Sequence, residues 1–198
     1  MLNLPILLTC SRIIIILPFI LITPGNPFLG ALIFGLAAIT DYLDGYFARK
    51  KKQVTKLGIL LDPIADKLLV IAALILLVDI DLVPAWIAIV IIAREFIVTG
   101  LRIVALTMDL VIPAEMGGKL KVTCQITAII ILLVGKSIAE TDFFASLLES
   151  LIEMPSLVFY LNAGGIMFLW ISMILGVISG IQYFYLFSAR SLPPGGIS

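Results

Sequence analysis

Residues Asp41–Lys67 read DYLDGYFARKKKQVTKLGILLDPIADK, and the rest of the chain is best read outward from them. Asp41, Asp44, Gly45 and Ala48 are spaced i, i+3, i+4 and i+7, which places them on one face of a helix. Gly58, Asp62 and Asp66 repeat the device at i, i+4 and i+8. A basic loop from Lys50 to Lys56 separates the two sets, so the stretch predicts an antiparallel hairpin of helices with one carboxylate pair facing the other. Asp62-Pro63 also fits an N-cap followed by proline at the first helical position. The register of Gly58 with both aspartates favours a helix already under way there, with Pro63 inside its first turn.

Four carboxylates in a confined space raise one another's pKa unless positive charge lies between them. The plainer reading is a set of snorkelling or paired interfacial acids; the sharper one is a metal site. The chain has no histidine and two cysteines, so an all-oxygen donor set favours Mg²⁺ or Mn²⁺ over Zn²⁺. Two carboxylate pairs suggest two ions, about 3.5–4 Å apart in two-metal sites, an arrangement suited to displacement at phosphorus. Small residues at Gly45 and Ala48 leave room for a bulky ligand beside the backbone.

Composition fixes the setting. With 62% hydrophobic and 13% charged residues and a mean hydropathy of +1.22, the chain is too apolar for a soluble domain and is expected to be an all-α integral membrane protein. Six runs reach the roughly 20 residues a span requires: about 5–23, 28–48, 60–78, 83–106, 118–138 and 157–187, the last long enough to tilt or to leave the lipid. Helix is expected throughout because lipid offers the backbone no partners. The expectation is a six-transmembrane-helix bundle preceded by a short interfacial segment, forming one catalytic domain over residues 1–198.

With the N-terminus inside, twelve of the thirteen basic residues fall at or toward the inner side and only Lys136 falls opposite. The positive-inside rule then puts both termini and the aspartate stretch on the cytoplasmic side. The N-terminus has no basic residue before Arg12 and no small-residue cleavage site, so it reads as a retained helix in which Pro18 is a candidate kink. Arg12 fits a phosphate contact or simple snorkelling equally. Cys10 and Cys124 both lie near the inner side, where a disulfide is not expected.

Two further stretches carry charge into apolar runs. IIAREFIVTGLR places Arg94 and Glu95 well inside a span and Arg102 near its inner end, and GGKLK supplies Lys119 and Lys121. Intramembrane charge is costly, so a functional reading is the default. Arg94 and Arg102, eight residues apart, share a face, and Glu95 suits a neighbouring cation or the edge of the metal site. Together these cations predict a phosphate pocket distinct from the metals; the bland alternative is an ion-pair network with inner-leaflet anchors. Ser172, Gly176 and Gly180 form a small-residue stripe that serves a dimer contact or packing within one subunit. Trp86, Trp170, Tyr183 and Tyr185 fit aromatic belts.

The pattern D-x2-D-G-x2-A-R-x8-G-x3-D-x3-D, met by Asp41, Asp44, Gly45, Ala48, Arg49, Gly58, Asp62 and Asp66, resembles the signature of the CDP-alcohol phosphotransferases. NLP-x-LLT-x2-R, AREF-x3-GLR, GGKLK and SGIQYFY extend the likeness along nearly the whole chain, toward the bacterial branch whose acceptor is sn-glycerol 3-phosphate. The resemblance implies transfer of a phosphatidyl group from CDP-diacylglycerol to that acceptor with release of CMP, in the bacterial inner membrane and by a homodimer. It implies metal binding by Asp41, Asp44, Asp62 and Asp66, with Asp66 also the general base. Asp41, Gly45, Ala48, Arg49 and Gly58 would border CDP-diacylglycerol, and Arg94, Arg102, Lys119 and Lys121 the acceptor phosphate. Relatives that use inositol phosphate, serine or phosphatidylglycerol would keep the same signature. An intramembrane prenyltransferase would lack the D-G-x2-A-R core, and the acids gathered at one face, with no visible inverted repeat, count against a transporter.

Overall fold

The computed structural model describes residues 14–48, 56–108, 117–140 and 154–191; within these, the side chains at 41–48, 56–66, 106, 117–119, 154–156 and 190–191 lie outside the description. The described residues form six helices and no strand: α1 (14–22), α2 (Pro27–Ala48), α3 (Lys56–Asp79), α4 (Ala85–Thr107), α5 (Gly117–Glu140) and α6 (Met154–Ser191). They follow the six apolar runs closely, since each run is long and uninterrupted enough to satisfy its backbone internally. Arg12, Cys10 and the rest of 1–13, the basic turn 49–55, most of the 139–156 loop and the tail 192–198 fall outside the described residues.

Local chemistry sets the helix ends. The Asn26 side chain accepts a hydrogen bond from the Leu29 amide at 3.0 Å and caps α2, with Pro27 at its first position. At the C-terminus of α3, Asp81 has φ 59°. The Leu82 amide reaches the Leu77 carbonyl at 2.9 Å and the Asp81 amide reaches Val78 at 3.1 Å. That pair of bonds is a Schellman closure, with an aspartate where glycine is usual. Helix α3 begins at Lys56, so it is under way before Asp62, but Pro63 is its eighth residue and lies beyond the first turn. The proline therefore removes the amide that would bond the Ile59 carbonyl.

Packing centres on α5, which lies along α6 over most of its length and also meets α2. Gly165 lets α6 close on α5: a Cβ there would stand 2.6 Å from Leu132 Cγ. Phe19, Phe34, Leu74, Leu77, Ile129 and Leu132 are fully enclosed. Large apolar side chains also cover the outside, among them Ile14, Leu21, Ile89, Ile97, Ile181 and Tyr185. An apolar core beneath an apolar surface is the arrangement of a membrane protein. By length and composition, Leu120–Glu140 and Leu157–Ala189 are candidate spans among the described residues, while α2 contributes a shorter apolar stretch, Pro27–Thr40. Helix α4 carries three charged residues, Arg94, Glu95 and Arg102, within an otherwise apolar length.

Candidate active site

Chain order and contacts bring parts of five helices together. Asp41 and Asp44 lie in the last turns of α2, and Asp62 and Asp66 in the second and third turns of α3. Helices α2 and α3 touch. Beside Lys67, next to Asp66, lie the middle of α4 and the start of α5, and the start of α5 meets the middle of α6, as the contacts among Lys67, Glu95, Lys121 and Ser172 show. The side chains of Asp41, Asp44, Gly45, Ala48, Gly58, Asp62, Asp66 and Lys119 are outside the description, and Arg49 lies outside the described residues. Among the described residues no three acidic, cysteine or histidine side chains are gathered for a metal.

The described side chains show a cationic group built around Glu95 on α4. One carboxylate oxygen, Oε1, accepts from both Arg94 and Lys121. The other, Oε2, stands 2.9 Å from Lys67 Nζ. Lys67 Nζ also donates to the Glu95 carbonyl at 3.2 Å and to the Thr99 hydroxyl. Three helices, α3, α4 and α5, are thus tied at one carboxylate. Among the described side chains here, three cations against one anion leave a surplus of positive charge, which suits a phosphate dianion.

Arg94 extends the network to α6. Its Nε donates to the Gly176 carbonyl at 2.6 Å, and its side chain is nearly enclosed. A Cβ at Gly176 would lie 3.3 Å from that Nε, so the absent side chain makes room for the guanidinium. Gly180 faces the stem of Arg94 and Val98, and Ser172 donates to the Lys121 carbonyl at 2.9 Å. The small-residue stripe therefore serves packing within the subunit. A small pocket follows these contacts, lined by Arg94, Glu95, Lys121, Gln125, Ser172 and Gly176. Gln125 Nε2 is buried there without an acceptor among the described residues.

The structure brings Arg94 and Lys121 together and sets Arg102 apart. Arg102 lies over the Tyr183 ring, its Cζ 5.9 Å from the centroid, and Tyr183 is buried beneath it. Arg94 and Arg102 do share a face, since both turn toward α6. Of the two options open to Glu95, the described contacts are those with cations. The sequence does not single out Lys67; its signal was its place directly after Asp66. Cys124 is a buried free thiol.

A family model described as CDP-alcohol phosphatidyltransferase matches residues 2–178. A Bacillus subtilis protein named CDP-diacylglycerol–glycerol-3-phosphate 3-phosphatidyltransferase is 41% identical over 201 residues, covering 93% of this chain and 94% of its own length. A Rickettsia bellii protein of the same name is 40% identical, covering 92% and 93%. An Escherichia coli protein of that name is 39% identical over 136 residues, covering 64% and 74%. A match that runs through the aspartate stretch and all the helices that build the cationic group makes this chain a member of the CDP-alcohol phosphatidyltransferase family.

Proposed function

We propose that this chain transfers the phosphatidyl group of CDP-diacylglycerol to sn-glycerol 3-phosphate, giving phosphatidylglycerophosphate and CMP. What supports the reading is the complete eight-position aspartate pattern in the sequence, seven of its positions on α2 and α3, with Lys67 directly after it and in contact with the group that holds Arg94 and Lys121. A diphosphate donor needs the first, and an acceptor that carries its own phosphate needs the second. The relatives' name supports both substrates.

Asp41, Asp44, Asp62 and Asp66 would hold two Mg²⁺ or Mn²⁺ ions. Their fit rests on an all-oxygen donor set from two touching helices, with spacings that keep each pair on one face. When bound, such ions neutralise the diphosphate and make its phosphorus more electrophilic. Asp66 accepts the proton of the acceptor's primary hydroxyl as that oxygen bonds to the lipid-side phosphorus and the bond to CMP breaks. Asp41, Gly45, Ala48, Arg49 and Gly58 border CDP-diacylglycerol. Lys121, with Arg94, Arg102 and Lys119, draws the acceptor phosphate to the opposite side. The same reading makes all six helices spans of a bacterial inner membrane, with the aspartate end at the cytoplasmic face, one domain per chain and two chains per enzyme. The basic residues gathered toward that end support the orientation.

The test is CMP release by the purified protein from CDP-diacylglycerol with Mg²⁺, comparing sn-glycerol 3-phosphate, inositol phosphate, serine and phosphatidylglycerol, each with and without chelator. Release that needs both metal and glycerol phosphate is the expected result. Preference for another acceptor moves the substrate, and metal-independent release removes the ions from the mechanism.

A further inference from the structure

An acid at the centre of a pocket for a dianion works against binding unless it has another task. Glu95 is such an acid, and no step of the reaction calls for it. Its contacts show what it does instead. Lys67 Nζ meets three acceptors, Glu95 Oε2, the Glu95 carbonyl and the Thr99 hydroxyl. An ammonium has three protons, and the described partners of Lys67, two hydrogen-bond acceptors and one paired carboxylate oxygen, are all on α4. The Thr99 hydroxyl, which itself donates to the Glu95 carbonyl at 2.7 Å, completes that socket. Lys121 is held differently: among the described residues Glu95 Oε1 is the acceptor of its ammonium, one acceptor for three protons. Arg94 is fixed from both sides, by Glu95 and by the Gly176 carbonyl.

We propose that Glu95 is a positioning residue: its two carboxylate oxygens anchor the turn of α3 that carries Asp66, through Lys67, and aim Lys121 at the acceptor phosphate, so that phosphate site and base are held at one separation. This rests on the reading of the acceptor given above. Lys121 is then the group that meets phosphate, and Lys67 acts only through Glu95. A carboxylate is required because the two sides of the bridge are both donors. A glutamine offers one acceptor oxygen and one donor amide, so its side chain meets Lys67 or Lys121 but not both, and the link between them is lost while Lys67 keeps the main-chain carbonyl and Thr99.

The experiment compares wild type with Glu95→Gln and Glu95→Asp in the CMP-release assay, varying each substrate in turn. Loss of aim should raise the KM for sn-glycerol 3-phosphate roughly tenfold in Glu95→Gln while the KM for CDP-diacylglycerol stays within about twofold. Glu95→Asp, which keeps both acceptors on a shorter stem, should fall between the two and is the informative variant if Glu95→Gln does not fold. A lower KM for glycerol phosphate in Glu95→Gln would mean that Glu95 merely competes with the ligand. An equal rise for both substrates, or no rise in a folded Glu95→Asp, would mean a structural role alone. Each of these overturns the proposal while leaving the substrate assignment intact. A wild type that ignores glycerol phosphate removes the substrate reading and this inference with it.

Discussion

Charge is handled differently in two regions of the bundle. Around Glu95, three cations from α3, α4 and α5 meet at one carboxylate, from up to 28 residues away in sequence, and Arg94 reaches 82 residues on to α6. Toward the other end, Lys136 on α5 bonds the Ile80 carbonyl at 3.3 Å and Glu140, one turn away on its own helix, at 3.2 Å. The second arrangement satisfies the end of α3 and the charge of one lysine, as a cation near a helix C-terminus does. The first leaves positive charge in excess. Local capping needs no surplus; on the proposed function, this excess among the described side chains serves the acceptor phosphate.

The contrast can be broken most severely at the aspartates. Asp62→Asn should cut turnover at least about a hundredfold in protein that still folds, because it removes charge where charge develops; near-normal turnover would take Asp62 out of the metal set. Next comes Arg94→Met, which leaves Glu95 and the Gly176 carbonyl short of a buried partner and should cost about 3 kcal/mol of stability, read by denaturation in detergent. An unchanged midpoint would make the α4–α6 link incidental. Arg102→Ala tests whether the exposed cation also belongs to the acceptor site. A KM for glycerol phosphate raised severalfold, with CDP-diacylglycerol unaffected, is the expected result, whereas loss of the Tyr183 contact alone would cost only about 0.5–1 kcal/mol of stability. Lys136→Met should change stability by under about 1 kcal/mol and leave CMP release untouched, since its ion pair is half exposed. The smallest effect has the opposite sign. Asp81→Gly relieves the left-handed backbone at the end of α3 and should raise stability by up to about 1 kcal/mol.

How much of this was legible depended on distance along the chain. The helices could be read because each is a continuous apolar run, and the aspartate stretch because its spacings lie within two adjacent helices. The position of Pro63 was misjudged by about one turn, since a basic run such as Lys50–Lys52 gives no sign of where helix resumes. The task of Lys67 could not be read at all. It depends on which turn of α4 comes alongside α3, and helix order in space is not written in periodicity. For the same reason the Ser172, Gly176 and Gly180 stripe was open between dimer and subunit until Arg94 was seen lying across it.

The chain's two tryptophans, Trp86 in the first turn of α4 and Trp170 midway along α6, meet edge to face with ring centroids 5.2 Å apart. All tryptophan emission from the subunit therefore originates at one point, the crossing of α4 and α6, two turns along α4 from Arg94. The protein carries its own optical gauge of that crossing. A change in emission when acceptor is added would report that filling the cationic site is felt along the helix pair, without any label being introduced.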